Sequence, residues 1–529
     1  MRIWRHLLFI LFLIPFATFA QSNTIVTMES WEYHQIKQLQ LRGYLLNLNP
    51  SSLPYTRGEI YKELNDINSD ELSGQERDWY DALVEAVEPR KDNVGEFRVG
   101  GSITSGARRS SSARLNVINP AGKAKPVLPR TELKAYMEWD NFVGQAGATF
   151  DWFYDVDPVG LDLGRRLYMR SEDAYFGYKS NYFDLYVGRY SNHWSVFNQQ
   201  GAFLTDNPRS FDHLNLRFGN NTISFSSILG ELDNLGPNGN FTGIGFQPGS
   251  IRRYIFLHRL DWSIKPNLKL TFMEGELYHS ETAGIQFRNL MPLHFLFFES
   301  HNSPMNNNSN LIIGGSIWYQ LGSATFFMQG MIDDFVVEDR QQLKKNNALI
   351  PATYTLNSSL TFSGLTKSNF NAGLELDMVS TLSYRSKSPQ EQWSYAQRGL
   401  ATNFSDYVRT RGFMTFFMGS QSNLWLEPSL TLNYQGIGDF RRLRSPTTPG
   451  GDPIDGILTG TVERTIRPAL KLRYQGWSTG LFSPESNTRF TWWFEADAGI
   501  NFIKNKDNTE GLSDRKFIGL FELFGKISF

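Results

Sequence analysis

Beyond residue 96 the hydrophobic positions recur with a period of two. In 423–435, Leu424, Leu426, Leu430, Leu432 and Tyr434 fall on one face, and Asn423, Trp425, Glu427, Ser429, Thr431, Asn433 and Gln435 fall on the other. In 130–140, Leu133, Ala135, Met137 and Trp139 oppose Glu132, Lys134, Tyr136, Glu138 and Asp140. In 181–187, Phe183, Leu185 and Val187 oppose Tyr182, Asp184 and Tyr186. Alternation of this kind marks half-buried strands. A polar face this charged does not form the core of a sandwich, and an apolar face this continuous is costly in water. Hydrocarbon outside and a wet lumen inside satisfy both. The pattern predicts a transmembrane antiparallel β-barrel over 96–529.

The connections sharpen this reading, because short and long ones alternate. Short turns fall near Asp140–Phe142, Lys179–Asn181, Gly219–Asn221, Lys265–Asn267, Leu321–Ser323, Gly364–Lys367 and Ser420–Ser422, with a longer one at 476–488. Long polar loops lie between them at 106–129, 154–169, 190–212, 231–251, 279–310, 334–352, 385–409, 437–460 and 503–515. Outer-membrane barrels have short periplasmic turns and long external loops. The strands, from 96–105 to 516–529, number about eighteen, an even count that puts both termini on one side. Phe521, Leu523, Gly525, Ile527 and Phe529 share one face of the last strand. A terminal aromatic there looks like the signal read by the barrel insertion machinery, and pairing of this strand with the first leaves no open edge in lipid.

Residues 29–89 instead carry a period near 3.6. Ile36 and Leu39 share a face of a first helix. Thr56-Arg57-Gly58-Glu59 and Ser73-Gly74-Gln75-Glu76 are capping boxes. The first precedes Ile60, Leu64 and Ile67; the second precedes Trp79, Leu83, Ala86 and Val87, with Pro89 as the stop. Residues 21–90 are expected to form a small periplasmic helical domain packed on the mouth of the barrel, the alternative being a free-standing module. The first twenty residues read as a signal peptide: Arg2 and Arg5, then apolar Leu7 to Phe16, then Ala17-Thr18-Phe19-Ala20 before the cut.

Composition fits this picture. Aromatics make up 14% of the 529 residues, with 41 Phe and 22 Tyr, which suits interface girdles. The net charge of -1 gives no bulk attraction to nucleic acid. The absence of cysteine excludes disulfides, thiolate metal sites and a cysteine nucleophile.

Several segments together resemble the Wzi-type capsule assembly family. At the front these are Leu41-Arg42-Gly43 and Pro54-Tyr55-Thr56-Arg57-Gly58-Glu59-Ile60. In the barrel they are Gly188-Arg189 with Trp194, Thr205-Asp206-Asn207-Pro208, His258-Arg259-Leu260-Asp261-Trp262, Glu274-Gly275-Glu276 before Tyr278, Asn289-Leu290-Met291-Pro292-Leu293, and Asp333-Asp334-Phe335. Where related chains often have a Gly-rich stretch after the Trp, this one has Ser195-Val196-Phe197-Asn198. The resemblance implies an eighteen-stranded outer-membrane barrel with a helical front, acting as a lectin that holds capsular polysaccharide on the cell surface. Partners would be that polysaccharide, outer-membrane lipid and lipopolysaccharide.

Sugars are bound by aromatic faces together with carboxylate, amide and guanidinium groups. Trp194, Tyr278, Asp206, Asn207, Glu276, Asp333 and Arg189 supply these types near the expected outer mouth. The competing reading is that they brace loops folded into the lumen, where polar groups must be paired. The apolar run Leu290 to Phe298 is expected to tuck into the lumen or cross the mouth.

Enzyme chemistry has little support. There is no Gly-x-Ser-x-Gly elbow, HExxH pair or phosphate loop, and no cofactor is expected. Asp212-His213 resembles a base and its orienter, but a turn and a lumen hydrogen bond is the plainer reading. Asp155-x-Asp157-x-x-Gly160-x-Asp162 resembles part of a calcium loop but has Arg166 where the closing Glu belongs, so no metal site is assigned. Arg108, Arg109, Arg114, Arg441, Arg442 and Arg444 are expected in external loops, as solvated charges or as contacts for acidic glycans. Surface polysaccharide binding is therefore the leading expectation, with a diffusion channel for small solutes or oligosaccharides as the alternative.

Overall fold

The computed structural model describes residues 22–529 except 89–96, 120–121, 123–126, 161–168, 245–247, 282–283, 286–288, 290, 292–293, 297–307, 334–352, 365–369, 387, 420, 422, 442, 444–455 and 480–487. The expected signal peptide at 1–20 lies outside the described residues. Three helices come first: α1 (Glu32–Leu41), α2 (Arg57–Asn65) and α3 (Gly74–Val87). The strands follow: β1 (Phe97–Ser110), β2 (Leu128–Trp139), β3 (Phe142–Asp151), β4 (two segments, Met169–Ser171 and Ala174–Lys179), β5 (Phe183–Arg189), β6 (Asp212–Gly219), β7 (Ile223–Glu231), β8 (Arg252–Lys265) and β9 (Leu268–Ser280). The second half comprises β10 (Ser309–Leu321), β11 (Ala324–Ile332), β12 (Tyr354–Ser363), β13 (Phe370–Val379), β14 (Tyr407–Met418), β15 (Leu424–Gln435), β16 (Glu463–Thr479), β17 (Arg489–Lys504) and β18 (Ser513–Ser528). Each pairs antiparallel with its neighbours in sequence, and β18 returns to β1 with Ser528 opposite Ser102 and Leu520 opposite Ser110. The result is a closed eighteen-stranded barrel. β1 runs on to Ser110, past the expected start of its loop, which takes Arg108 and Arg109 into the strand.

Strand parity separates the two faces. Phe97, Val99, Leu133, Met137, Leu374, Leu430 and Phe521 are exposed on the outside. Glu132, Glu138, Asp184, Trp425 and Thr431 face inward and are buried. At the short-turn end Trp139 packs on Phe142, and Phe142 on Phe176 and Tyr178, while Phe183 packs on Phe218. Aromatic rings at this level make one interface girdle.

The helices pack into the lumen at its short-turn end, with Trp79, Ala82, Leu83 and Val87 the buried residues of α3. Both capping boxes form, with Thr56 N–H donating to Glu59 at 2.8 Å and Ser73 N–H to Glu76 at 2.9 Å. Ile36, Leu39, Ile60, Leu64, Trp79 and Leu83 make a small core that also takes in Phe417 and Trp425 of the barrel wall. A helical segment of this size supports little core alone, so the barrel wall completes it. Polar anchors come from many hairpins. Glu138 accepts from Ser22 Oγ at 2.7 Å and Thr24 N at 3.0 Å. Arg259 donates to Ser51 O at 2.6 Å, Asp261 accepts from Asn49 at 2.8 Å, and Ser363 donates to Leu41 O at 2.7 Å.

Candidate functional site

Two long loops fill part of the lumen at the long-loop end. Residues 190–211 and 380–406 fold inward and bury Trp194, Phe203, Leu204, Tyr384, Trp393 and Tyr395 against lumen-facing Ile228, Ile255, Leu257 and Met273. Backbone groups taken from water must find partners, and the wall supplies them: Gln329 donates to Trp194 O at 2.6 Å and accepts from Ala202 N at 2.7 Å. Trp393 Nε1 donates to Phe203 O at 2.8 Å. The loop also meets the helical segment halfway. Leu53 and His193 exchange two backbone hydrogen bonds of 3.1 and 3.0 Å, and Phe197 stacks on Tyr33.

What stays open is one side of the lumen. A cavity of about 790 Å³ runs from Asn198 and Asp206 of the inward loop, past Trp31 and His34, to Glu88 and Ser528 near the short turns. Its wall is made by the inward faces of β1, β2, β16, β17 and β18 and is densely charged. Lys471 pairs with Glu495 at 2.5 Å, and Arg473 with the same carboxylate. Lys134 bridges Asp173 at 2.8 Å and Glu132 at 3.2 Å, and Arg130 reaches Glu132 and Glu29. Trp31 and Trp493 add aromatic surface to the lining. Paired charges beside two indoles offer donors and acceptors for hydroxyl-rich ligands. The opposite wall contrasts with it: β12 presents Thr355, Asn357, Ser359, Thr361 and Ser363, small polar groups under the packed loops and helices. These charged lumen positions were not among the sequence candidates. Their signal was present as full charges at every second position, Arg130-x-Glu132-x-Lys134 and Lys471-x-Arg473.

The seven sequence candidates fall into separate places. Asp206 lines the cavity with its side chain 42% exposed, and its carboxylate takes a 2.9 Å hydrogen bond from His193 Nδ1. Burial raises the Asp206 carboxyl, but His193 outweighs it and holds the group below its usual range. Asn207 ties two loops together, donating to Gly399 O at 2.7 Å and accepting from Arg398 at 3.0 Å and Asn403 at 2.7 Å. Trp194 is 3% exposed inside the loop core, and Asp333 accepts from Tyr384 N at 2.6 Å. Arg189 lies at the end of β5, paired with Asp212. Glu276 and Tyr278 lie on the outer face of β9, where Tyr278 packs with Tyr254 and Phe256 and Glu276 accepts from Asn289 at 2.8 Å.

Strand geometry also decides the weaker motifs. Asp212 and His213 are neighbours in β6 and point to opposite faces. His213 bonds Phe211 O at 2.9 Å and Asn192 at 3.0 Å, so Asp212 does not orient it. Asp157 accepts from Val159 N at 3.0 Å and pairs with Arg398 at 2.5 Å, which makes the calcium-like stretch a braced turn as far as it is described. No metal-ligating cluster occurs among the described residues. Arg108 points into the lumen at Asp151, and Arg441 pairs with Asp439 at 3.2 Å; Arg442 and Arg444 lie outside the described residues. Leu296, in the apolar run, packs on the outside of the barrel wall rather than in the lumen.

No family model and no curated protein matches the sequence. Among solved structures, the chain is similar in fold to Wzi of Escherichia coli, described as an outer-membrane, carbohydrate-binding β-barrel involved in group 1 capsule assembly. The TM-score is 0.59 at 10% identity, covering 96% of this chain and 99% of Wzi. OccAB1 of Acinetobacter baumannii aligns at TM-score 0.45 and 8% identity over 83% of this chain and 98% of its own, and OccD3 of Pseudomonas aeruginosa at 0.44 and 10% over 82% and 92%. The architecture is thus Wzi-like, an outer-membrane type of barrel.

Proposed function

We propose that this chain is a non-enzymatic outer-membrane protein that binds a surface polysaccharide, capsular in kind, and helps to hold it at the cell surface. In this reading it belongs with the Wzi-type proteins. Residues 1–20 are a cleaved leader, 21–90 a periplasmic segment and 96–529 the barrel, with the long loops outside. The observation that carries the proposal is the filled lumen: helices from one end and loops from the other meet at Leu53 and His193, leaving a one-sided cavity lined by paired charges and two tryptophans. A barrel kept for transport has little use for so much ordered backbone inside it, whereas a binding protein gains preorganisation from it. Asp206 is assigned to direct contact with the glycan, and Asn207, Trp194 and Asp333 to holding the loop that carries it. Arg189, Glu276 and Tyr278, which lie outside the lumen, are assigned to bracing the outer wall rather than to glycan contact.

The test compares cell-attached and released polysaccharide in wild type, a deletion strain and an Asp206→Ala strain. The deletion is expected to shift polysaccharide from cells to medium, and the substitution to do so in part. Unchanged retention in the deletion strain overturns the proposal. A second reading, a diffusion channel, is favoured by the length of the cavity, which reaches from the inward loop to the short turns. Planar bilayers decide it: steady conductance from the intact protein supports the channel, and silence supports the binding protein.

A further inference from the structure

The outer wall of β7–β10 carries polar chemistry that a lipid-facing surface should lack. Parity places His258 on the same face as Leu260 and Trp262, both exposed outward, and Glu274 on the same face as Phe272. Yet His258, Glu274 and Glu276 are 3%, 2% and 4% exposed. The cover comes from the connection after β9. His258 Nδ1 is 3.0 Å from Glu274 Oε1, and its Nε2 is 3.0 Å from Asn289 O. Asn289 Nδ2 donates to Glu276 at 2.8 Å, and Leu296 N donates to Glu274 at 3.1 Å. Leu296 then packs among Leu229, Tyr254, Phe256 and Tyr278, all on the outward face.

The height of this cluster matters. Glu274 stands six residues beyond Leu268, the first residue of β9. That is about 20 Å along the strand and about 15 Å in height at the usual tilt, inside an apolar band about 25 Å tall. Irregular backbone at that depth persists only where its polar groups are satisfied by protein; here Asn289 O and Leu296 N bond the wall's side chains, and His294 N donates to Met291 O at 2.9 Å. On the far side of the segment, Ile285, Met291 and Phe295 are 42%, 63% and 52% exposed. Three large apolar side chains facing away from the wall match hydrocarbon better than water.

We propose that the described residues of the connection after β9, Asn289, Met291 and His294 to Leu296, form an intramembrane clasp: they lie along the outside of the barrel in the outer leaflet, present Met291 and Phe295 to lipid acyl chains, and are fastened by His258, Glu274 and Glu276. The inference rests on the outer-membrane reading and is independent of what the lumen binds. It differs from a water-exposed external loop and from a lumen plug.

The chain has no cysteine, so single spin labels can be placed cleanly. The full chain is reconstituted in phospholipid nanodiscs with a label at Met291→Cys, and collision with oxygen is compared with collision with a water-soluble nickel chelate. References are Leu374→Cys on the outer wall and Glu510→Cys in an exposed loop. The clasp requires position 291 to match position 374. If it matches position 510, the clasp is wrong. If the label at 374 is itself water-exposed, the membrane reading falls, and the two failures are thereby told apart. In a Glu274→Ala background, and separately in Asn289→Ala should the first not fold, the label at 291 is expected to shift toward the aqueous reference. A lipid signature unchanged in whichever background folds overturns the fastening role.

Discussion

Glu59 works with both of its carboxylate oxygens. Oε2 accepts the Thr56 N–H and closes the cap of α2, while Oε1 takes Lys179 at 3.1 Å and Arg217 at 3.4 Å from the barrel wall. Burial pushes its carboxyl up, but the two cations and the cap outweigh this and bring it down to about 2, from an ordinary 4.5. The depressed value means that its stabilisation is complete above 4.5 and is lost as pH falls toward 2; at neutral pH it contributes on the order of 3 kcal/mol. His34 acts in a higher window. Burial, then the nearby Arg473, hold it well below its ordinary 6.5, so it stays neutral when docked and takes up a proton only on release. Its stabilisation is present above 6.5 and declines as pH falls below that. The docked helices are therefore expected to loosen in two stages on acidification, read as protease sensitivity of residues 22–88 in detergent-solubilised protein. His34→Gln should flatten the stage that begins near 6.5, and Glu59→Gln should weaken docking already at pH 7 while flattening the lower one. A single acid transition unchanged by either substitution would refute this division.

At the scale of elements, α3 meets the aromatic side chains of the barrel wall through Trp79, with Ala82, Leu83 and Val87 buried beside it. Trp79 is fully buried, meets Phe417 edge-on at 4.9 Å and Trp425 at 6.4 Å, and has the Arg42 guanidinium 4.6 Å over its ring. Trp79→Ala is expected to cost about 3–5 kcal/mol of docking free energy and to give flickering conductance in planar bilayers where the wild type is quieter. Conductance identical to wild type would show that α3 does not seal. The strands and capping boxes that build this end were legible in the sequence, because alternation and box spacing are local signals. The expected packing on the mouth carried no depth and no wall partners such as Phe417 and Trp425, since a 3.6 period says that a face is buried but not against what. The candidate site was legible only in part. Asp206 reaches the cavity, but the choice of residues by chemical type near the mouth passed over the charged lumen row on β1, β2 and β16. His258 shares its face with Leu260 and Trp262, so strand parity alone puts it outside the barrel.

The whole molecule depends on one seam. β18 must close on β1, and the contact is tight at Gly106, where a Cβ would stand 2.2 Å from Leu523 O and 2.7 Å from the Phe524 Cα. The obstruction is backbone of the partner strand, so no rotamer relieves it, and the only escape is to part the strands. Parting them exposes unpaired amides to hydrocarbon, at several kcal/mol each. Gly106 stands at the middle of the nine-pair ladder from Ser102–Ser528 to Ser110–Leu520, which the Gly101 N to Phe529 O bond at 2.8 Å and the Phe529 N to Gly101 O bond at 3.0 Å extend at one end. Gly412, in β14, has nothing within 4 Å of where its Cβ would be. Gly106→Val is accordingly expected to abolish the folded, heat-modifiable band on a gel and to deplete the protein from outer-membrane fractions, whereas Gly412→Val should remain within about 0.5 kcal/mol of wild type. The pair is a test of closure rather than of glycine in strands generally, since both positions lose the same backbone freedom. Equal behaviour of the two variants would mean that the ring does not close at β1 and β18, and the filled lumen, the cavity and the lipid-facing clasp would all lose the frame that positions them.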